Sequence, residues 1–146
     1  MDKYQLVVLF GGRSAEHDVS CVSARHVLGA ADLERYEIIP VGIDREGNWS
    51  LSTSAVRALE DGVLPDSLDP SGSSWDPLPE LKRLSQSGSV VVFPLLHGPL
   101  GEDGTVQGLL EVADVPYVGS GVLSSSLAMD KLVAKDILNH HGIRQA

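Results

Sequence analysis

The sequence has only one cysteine, Cys21, in 146 residues. A lone cysteine excludes a disulfide framework and a cysteine-ligated zinc site, and it suits a reducing cytoplasm, where we expect the protein to reside. Basic residues are also scarce, with 11 Lys and Arg against 20 Asp and Glu and a formal net charge of −9. Because no basic stripe is available to neutralise phosphates, the composition argues against a nucleic-acid partner.

Long hydrophobic runs are missing as well. The first apolar run, residues 6–10, stops at a glycine pair and lacks the small-residue pattern of a signal-peptide cleavage site. No run approaches the roughly 20 apolar residues of a membrane span. The sequence also has no internal repeat, no dinucleotide-binding glycine fingerprint and no P-loop consensus. What remains, at 42% hydrophobic and 21% charged residues, is typical of one soluble globular domain with a substantial core.

Alternating strand and helix patterns predict an α/β fold, a Rossmann-like, open, mainly parallel sheet flanked by helices. Short branched runs predict strands over residues 5–10, 36–43, 49–51 and 89–96. Apolar spacing predicts helices over about 15–30, 54–60, 78–84, 106–113 and 129–142. The first helix is expected to pack on the sheet through Val19, Val22, His26, Val27 and Ala30. The prolines and serines of residues 62–77 predict an irregular excursion, and Trp75 is expected to anchor it by packing against the rest of the domain.

Two glycine-rich loops, residues 11–16 and 97–104, each follow a predicted strand. If these strands are parallel neighbours, both loops open at the carboxyl edge of the sheet, where ligands of α/β proteins usually bind. A carboxylate at Glu16 can bind an ammonium group there. Alternatively, Glu16 only complements the dipole of the first helix, for which Ser14 is the expected N-cap.

The second loop begins with His97, which can donate to a substrate carboxylate or titrate near neutrality. The alternative is a histidine that bonds its own loop backbone. Glu102 and Asp103 are either solvated loop charges or caps of the helix that follows.

Weaker signals lie elsewhere in the chain. Lys131 and Lys135 share a helix face, where a polyanion would relieve their mutual repulsion, although a solvated face is the simpler explanation. Residues 119–121 form a Gly-Ser-Gly turn that is, alone, a weak anion-binding signal. His17 and Cys21 lie at i, i+4, but two ligands do not make a metal site.

Three segments together resemble a known family. They are GGRSAEHDVS at residues 11–20, HGPLGEDGTVQG at 97–108, and 116–131, which runs from PYVGSG to MDK. In this order and spacing they resemble the D-alanine–D-alanine ligases, from residue 6 to residue 142, with the 62–77 excursion matching least. That family joins two D-alanines for bacterial peptidoglycan, using ATP and Mg²⁺ (or Mn²⁺), through an acyl phosphate on the first D-alanine.

The resemblance implies roles for four residues. Glu16 would hold the ammonium group of the first D-alanine, with Ser14 supporting it from the same loop. His97 would lie beside the carboxylate of that D-alanine. Lys131, in the Met-Asp-Lys motif, would contact an ATP phosphate.

The resemblance also implies a domain organisation. Residues 1–142 would form the N-terminal, pre-ATP-grasp domain, and residues 143–146 would begin the link to an ATP-grasp region carrying the metal ligands and most nucleotide contacts. We therefore expect the isolated chain to lack turnover, and we expect a homodimer, as is common in the family. Two alternatives stay open: a stand-alone, non-catalytic α/β binding module, and a ligase that uses D-lactate or D-serine as the second substrate.

Overall fold

The computed structural model describes residues 3–145, apart from the side chain of residue 87. Residues 1–2 of the predicted domain and residue 146 of the predicted link therefore lie outside the described residues. The strands are β1 (Tyr4–Gly11), β2 (Tyr36–Ile43), β3 (Trp49–Ser52), β4 (Gly72–Ser74) and β5 (Val90–Pro94). The helices are α1 (His17–Ala30), α2 (Thr53–Asp61), α3 (Pro77–Ser87), α4 (Thr105–Val112), α5 (Val122–Met129) and α6 (Lys131–His140).

The five strands form one open sheet in the order β4-β3-β2-β1-β5. β1 pairs in parallel with both β2 and β5, whereas β3 pairs antiparallel with β2 and with β4. The short turn at residues 44–48 explains the change of direction, because only a long crossover connects parallel neighbours. The predicted open α/β sheet is confirmed, with a parallel centre and an antiparallel edge that makes it mixed.

β1 forms the centre of the core, and its alternating side chains serve two apolar clusters. Val7 and Leu9 pack on one face of the sheet with residues of β2, α3, β5 and α4. Val8 and Phe10 pack on the other face against α1, including Cys21. All four β1 side chains are fully buried, as expected for a strand covered on both faces.

The face that α1 presents to the sheet differs from the prediction. Val19, Val22, His26 and Ala30, expected to pack on the sheet, are exposed, whereas Val27 packs against the core as predicted. The buried residues of the helix are His17, Ser20, Cys21, Ala24 and Leu28. His17 and Ser20 lie inside because both hydrogen-bond to the backbone at the strand ends, and that pairing offsets the cost of burying a polar group.

Two helix boundaries also differ from the prediction. α1 has Glu16 rather than Ser14 at its N-cap, because the Ser14 hydroxyl accepts a hydrogen bond from the Glu16 amide and forms a local turn before the helix. The last helix, predicted from residue 129, begins at Lys131, since Asp130 accepts hydrogen bonds from the amides of Leu132 and Val133 and so caps α6. The sequence analysis missed α5, whose three serines favour turns and caps over helix.

The 62–77 excursion contains the short strand β4, which the sequence analysis also missed. The predicted anchor at Trp75 is confirmed: its buried ring stacks on Trp49 with centroids 6.0 Å apart, and its amide donates to the Trp49 carbonyl. The excursion crosses β2 at Gly42, where any Cβ would collide with the Pro70 backbone. Among residues 3–145, no helix combines the length and apolar character needed to cross a bilayer.

Cys21 provides a test of how tightly α1 packs on the sheet. Burial raises the pKa of the Cys21 thiol to about 11, and the nearby Asp18 carboxylate adds to this. Because only the thiolate reacts, we expect iodoacetamide at pH 8 to label the native chain about 100-fold more slowly than the urea-unfolded chain, as measured by mass spectrometry. Comparable labelling rates in the two states would show that α1 does not stay packed.

Candidate functional site

The two glycine-rich loops meet at the carboxyl edge of the sheet because β1 and β5 are parallel neighbours. One loop leaves β1 and enters α1, and the other leaves β5 and enters α4. They touch at Gly98, where a Cβ would lie 3.0 Å from Glu16 Oε2 and 3.2 Å from the Ser14 Cβ. The structure thus brings Glu16, Ser14 and the start of the second loop together.

The β1–α1 loop has a backbone that requires glycine at its start. Gly11 has φ +86°, and a Cβ there would collide with the Ile43 carbonyl oxygen. The carbonyl of the following Gly12 lies 2.7 Å from Nδ1 of the buried His17. His17 therefore has a structural role, holding the turn against the first residue of α1.

Ser20 is a residue that the sequence analysis missed. Its fully buried hydroxyl accepts from the Gly11 amide at 2.8 Å and donates to the Leu95 carbonyl at 2.7 Å. One side chain of α1 therefore joins the end of β1 to the residue that follows β5. A polar residue one turn into the helix, four residues after Glu16, was the only signal in the sequence.

Backbone hydrogen bonds account for two of the three acidic residues in the two glycine-rich loops. Glu102 Oε2 accepts from the Gly98 amide at 2.7 Å, and Asp103 accepts from the amides of Leu100 and Thr105. Partial burial raises the pKa of Asp103, but these two amide donors outweigh it and hold the pKa below its ordinary value. Neither residue is the N-cap of α4, which is Gly104 and has no side-chain cap hydrogen bond. Glu102 and Asp103 instead accept from backbone amides between Gly98 and Thr105.

The Glu16 carboxylate differs from these two groups. It is exposed at the N-terminus of α1, and the hydrogen bonds and ion pairs described within residues 3–145 do not include its oxygens. It lies beside the backbone of Gly98. Of the three acidic groups in these two loops, Glu16 is therefore the one with its hydrogen-bonding capacity available to a ligand.

His97 faces α1. Its half-buried ring has Nε2 3.4 Å from the hydroxyl oxygen of Ser23, and that hydroxyl donates to the Val19 carbonyl at 2.9 Å. The partner of His97 described here is thus a side chain of α1, whereas the alternative from the sequence was a bond to its own loop.

Lys131 lies outside this group. It is exposed at the start of α6, and no hydrogen bond or ion pair described within residues 3–145 joins it to Glu16, Ser14 or His97. The connection is indirect, because α5 is attached to the second loop by a 2.7 Å hydrogen bond from Ser126 to the Asp103 carbonyl. α6 follows α5 directly.

A cleft of about 370 Å³ opens beside His97 at the same edge. Its walls are mainly apolar, and they include Gly12, Arg13, Trp49 and Leu100. Pockets of this size at this end of an α/β sheet are the usual places for small ligands. As for metals, the described residues contain no group of three or more His, Cys, Asp or Glu able to hold an ion.

Comparison with known proteins identifies relatives of the whole chain. Residues 5–120 match the family model described as the D-Ala D-Ala ligase N-terminus. The chain is 44% identical to the D-alanine–D-alanine ligase of Natranaerobius thermophilus, over all of the chain and 41% of that protein. It is 47% identical to D-alanine–D-alanine ligase A of Mesorhizobium japonicum, over 99% of the chain and 43% of that protein. The chain thus spans about two fifths of the length of these relatives.

Solved structures show the same likeness. The VanG D-Ala:D-Ser ligase from Enterococcus faecalis superposes with a TM-score of 0.73 at 35% identity, over 97% of this chain and 43% of that one. The D-alanine–D-alanine ligase from Coxiella burnetii gives a TM-score of 0.71 at 33% identity, over 96% and 42% of the two chains.

The contact between the two loops can be tested at Gly98. Gly98 and Gly62 share φ +69°, but a Cβ at Gly62 would meet no atom within 4 Å. Gly62→Ala should therefore cost only the left-handed backbone penalty of about 1–2 kcal/mol. Gly98→Ala should cost about 1 kcal/mol more, because its methyl group must displace Glu16 or Ser14. Urea unfolding measures both, and equal losses would contradict the described contact.

Proposed function

Because this chain belongs to the D-alanine–D-alanine ligase family, as its N-terminal part, we propose that it supplies one side of the first D-alanine site of an ATP-dependent ligase. The observation that carries the proposal is the juxtaposition of Glu16 on α1 with the His97–Gly98 backbone at the end of β5. A free amino acid needs a partner for its ammonium group and another for its carboxylate, and this edge presents candidates for both.

The acidic groups favour Glu16 as the partner of the ammonium group. Glu102 and Asp103 are already occupied by backbone amides, whereas the Glu16 carboxylate remains available. A charge-assisted hydrogen bond to an ammonium group contributes about 1.5–3 kcal/mol. Ser14 lies on the same side of Gly98 as Glu16 and supports that position.

His97 is proposed to lie beside the carboxylate of the first D-alanine. In the proposed reaction that carboxylate attacks the γ-phosphate of ATP, giving an acyl phosphate and ADP. The amine of the second D-alanine then attacks the acyl carbon, phosphate leaves, and D-Ala-D-Ala forms. In its protonated form, His97 can donate a hydrogen bond to the first carboxylate and so orient it.

The nucleotide and the metal are assigned to the rest of such an enzyme. The chain covers only 41–43% of its curated relatives, and its described residues do not fit a Mg²⁺ or Mn²⁺ site, so no step is derived through the metal. Lys131 is the one residue of this chain that we propose to contact the nucleotide. It is an exposed cation at the start of α6, and its ammonium group can bind an ATP phosphate. ATP as substrate and a single buried cysteine suit a cytoplasmic location.

Further protein contacts are part of the proposal. No side chain of α6 is buried, and Leu132 on this helix is 78% exposed. On the preceding helix α5, Leu123 is 71% exposed. Exposed apolar side chains on adjoining helices are typical of an interaction surface, and they support packing against an ATP-grasp region. A homodimer, as is common in the family, is also proposed.

The second substrate is a separate question. The similarity to a D-Ala:D-Ser ligase favours D-serine as an alternative second substrate. We propose that this selectivity depends on residues outside this chain, because the groups gathered here serve the first amino acid. Incubation of the complete enzyme with D-alanine and either D-alanine, D-serine or D-lactate would identify the dipeptide or depsipeptide formed.

We predict that the 146-residue chain alone does not form D-Ala-D-Ala from D-alanine and ATP, because binding one substrate without nucleotide and metal groups does not stabilise the transition state. Chromatography of the products with mass detection tests this. ATP-dependent dipeptide from the purified chain would contradict it.

We predict that Glu16 is required for binding the first D-alanine in an intact enzyme. A suitable protein is a chimera in which this chain replaces the matching segment of the Mesorhizobium japonicum ligase. Glu16→Gln should lower kcat/KM for the first D-alanine by about 10- to 100-fold, since it removes a charged partner.

Asp18→Asn is the matched control for Glu16→Gln. Asp18 is an exposed carboxylate two residues along α1 that pairs with Arg45 at 2.8 Å, and surface pairs of this kind contribute little. It should therefore leave kcat/KM nearly unchanged. Normal saturation of the Glu16→Gln chimera by D-alanine would remove Glu16 from the proposed site.

A further inference from the structure

One face of α1 contacts the second loop at three successive points. Glu16, Ser20 and Ser23 are spaced i, i+4 and i+7, which aligns them along one side of a helix. Glu16 lies against Gly98, Ser20 donates to the carbonyl of Leu95, and Ser23 lies 3.4 Å from His97 Nε2. The helix that carries the proposed ammonium partner therefore also holds the loop that carries the proposed carboxylate partner.

Ser20 fixes the root of this loop. Its side chain is fully buried and makes two hydrogen bonds to the backbone. The hydroxyl accepts from the Gly11 amide at the end of β1 at 2.8 Å, and it donates to the carbonyl of Leu95, just after β5, at 2.7 Å. Removing the hydroxyl would take this partner from the buried Gly11 amide and from the half-buried Leu95 carbonyl. The end of β1, the N-terminal half of α1 and the residue two before His97 are thus held as one unit.

The two contacts of the Ser23 hydroxyl favour one tautomer of His97. The Ser23 hydroxyl gives its hydrogen to the Val19 carbonyl at 2.9 Å, so its oxygen faces His97 as an acceptor. Nε2 of His97 must then be the donor. In the neutral ring this leaves Nδ1 as an acceptor, which cannot donate to a carboxylate. In the protonated ring both nitrogens carry a proton, and Nδ1 is the donor left for a ligand.

We propose that Ser20 and Ser23 are a positioning pair: Ser20 sets the distance of the His97 loop from Glu16, and Ser23 holds His97 with its proton on Nε2 and Nδ1 directed to the ligand. The part that concerns a ligand rests on the proposed function, whereas the tautomer and the loop position do not. Neither serine touches substrate in this account, since both act through His97 and its loop.

The Ser23 half of the proposal is tested by the tautomer of His97. In the ¹⁵N-histidine-labelled chain, two-bond ¹H–¹⁵N spectra above neutral pH should show His97, assigned with a His97→Asn variant, in the Nε2–H form. Ser23→Ala should bring the two ring ¹⁵N shifts closer together, because the tautomers then exchange, and Ser23→Thr should restore the parent spectrum. A parent ring with its proton on Nδ1, or an unchanged Ser23→Ala spectrum, would overturn this half.

Ser85→Ala is the matched control. Ser85 also donates to a preceding carbonyl of its own helix, that of Lys82, at 2.9 Å, but it is exposed on α3. It should leave the His97 spectrum unchanged, which separates the loss of a helix serine from the loss of the His97 partner.

The Ser20 half is tested by amide exchange. Ser20→Ala should speed hydrogen exchange of the Gly11 amide at least about tenfold and shift the signals of His97 and Gly98. If Ser20→Ala does not fold, Ser20→Cys serves as the second variant, because the thiol has a size similar to that of the hydroxyl and is a weaker hydrogen-bonding group. Faster exchange at Gly11 with unchanged His97 and Gly98 signals would show that Ser20 only stabilises the sheet and would overturn its positioning role.

A titration with D-alanine separates this proposal from the proposed function. The parent chain should show shifts at Glu16 and Gly98, and Ser23→Ala should weaken binding about 3- to 10-fold. Parent-like affinity in Ser23→Ala despite a changed tautomer would overturn the positioning role. No D-alanine shifts in the parent, with the tautomer and exchange results as expected, would count against the proposed function and leave the positioning pair supported.

Discussion

The carboxyl ends of β1 and β5 lie side by side because the two strands pair in parallel, from Gln5 opposite Val90 to Leu9 opposite Pro94. Every feature of the candidate site depends on this pairing, since Glu16 follows one strand and His97 follows the other. The Ser20 hydroxyl completes the junction by bonding to both ends. A shift of one residue in this register would turn the side chains of β5 to the opposite face and break the hydrogen bond from Ser20 to the Leu95 carbonyl.

Charge at this edge is divided between structure and function. Three acidic side chains converge on the second loop, and like charges at close range are costly unless each has partners. Glu102 and Asp103 obtain those partners from backbone amides, which order the loop around Gly98. Glu16 remains with an open carboxylate beside that ordered backbone, so a cationic ligand would complete the arrangement.

The helices after the site differ in character from the core. α4 buries Val106 and Leu110 against the sheet, whereas α6 buries none of its side chains. The apolar side chains of α6 follow the helical period, and Leu132, Val133 and Ile137 among them stay exposed within residues 3–145. This pattern agrees with a chain that spans about two fifths of its curated relatives.

The sequence by itself determined the elements whose signals are local: the buried strands, the glycine-rich loops, the Trp75 anchor, and a motif set specific enough to identify the family. It also placed Glu16 and His97 at one edge, because parallel neighbours share their carboxyl ends. Only the tertiary structure decided which face of α1 is buried, that Ser14 forms a turn before the helix, and that Ser20 and Ser23 hold the His97 loop. The physical reason is that a polar side chain enters the core only where distant backbone groups satisfy it, and those groups, 75 residues away for Ser20, are brought there by the fold.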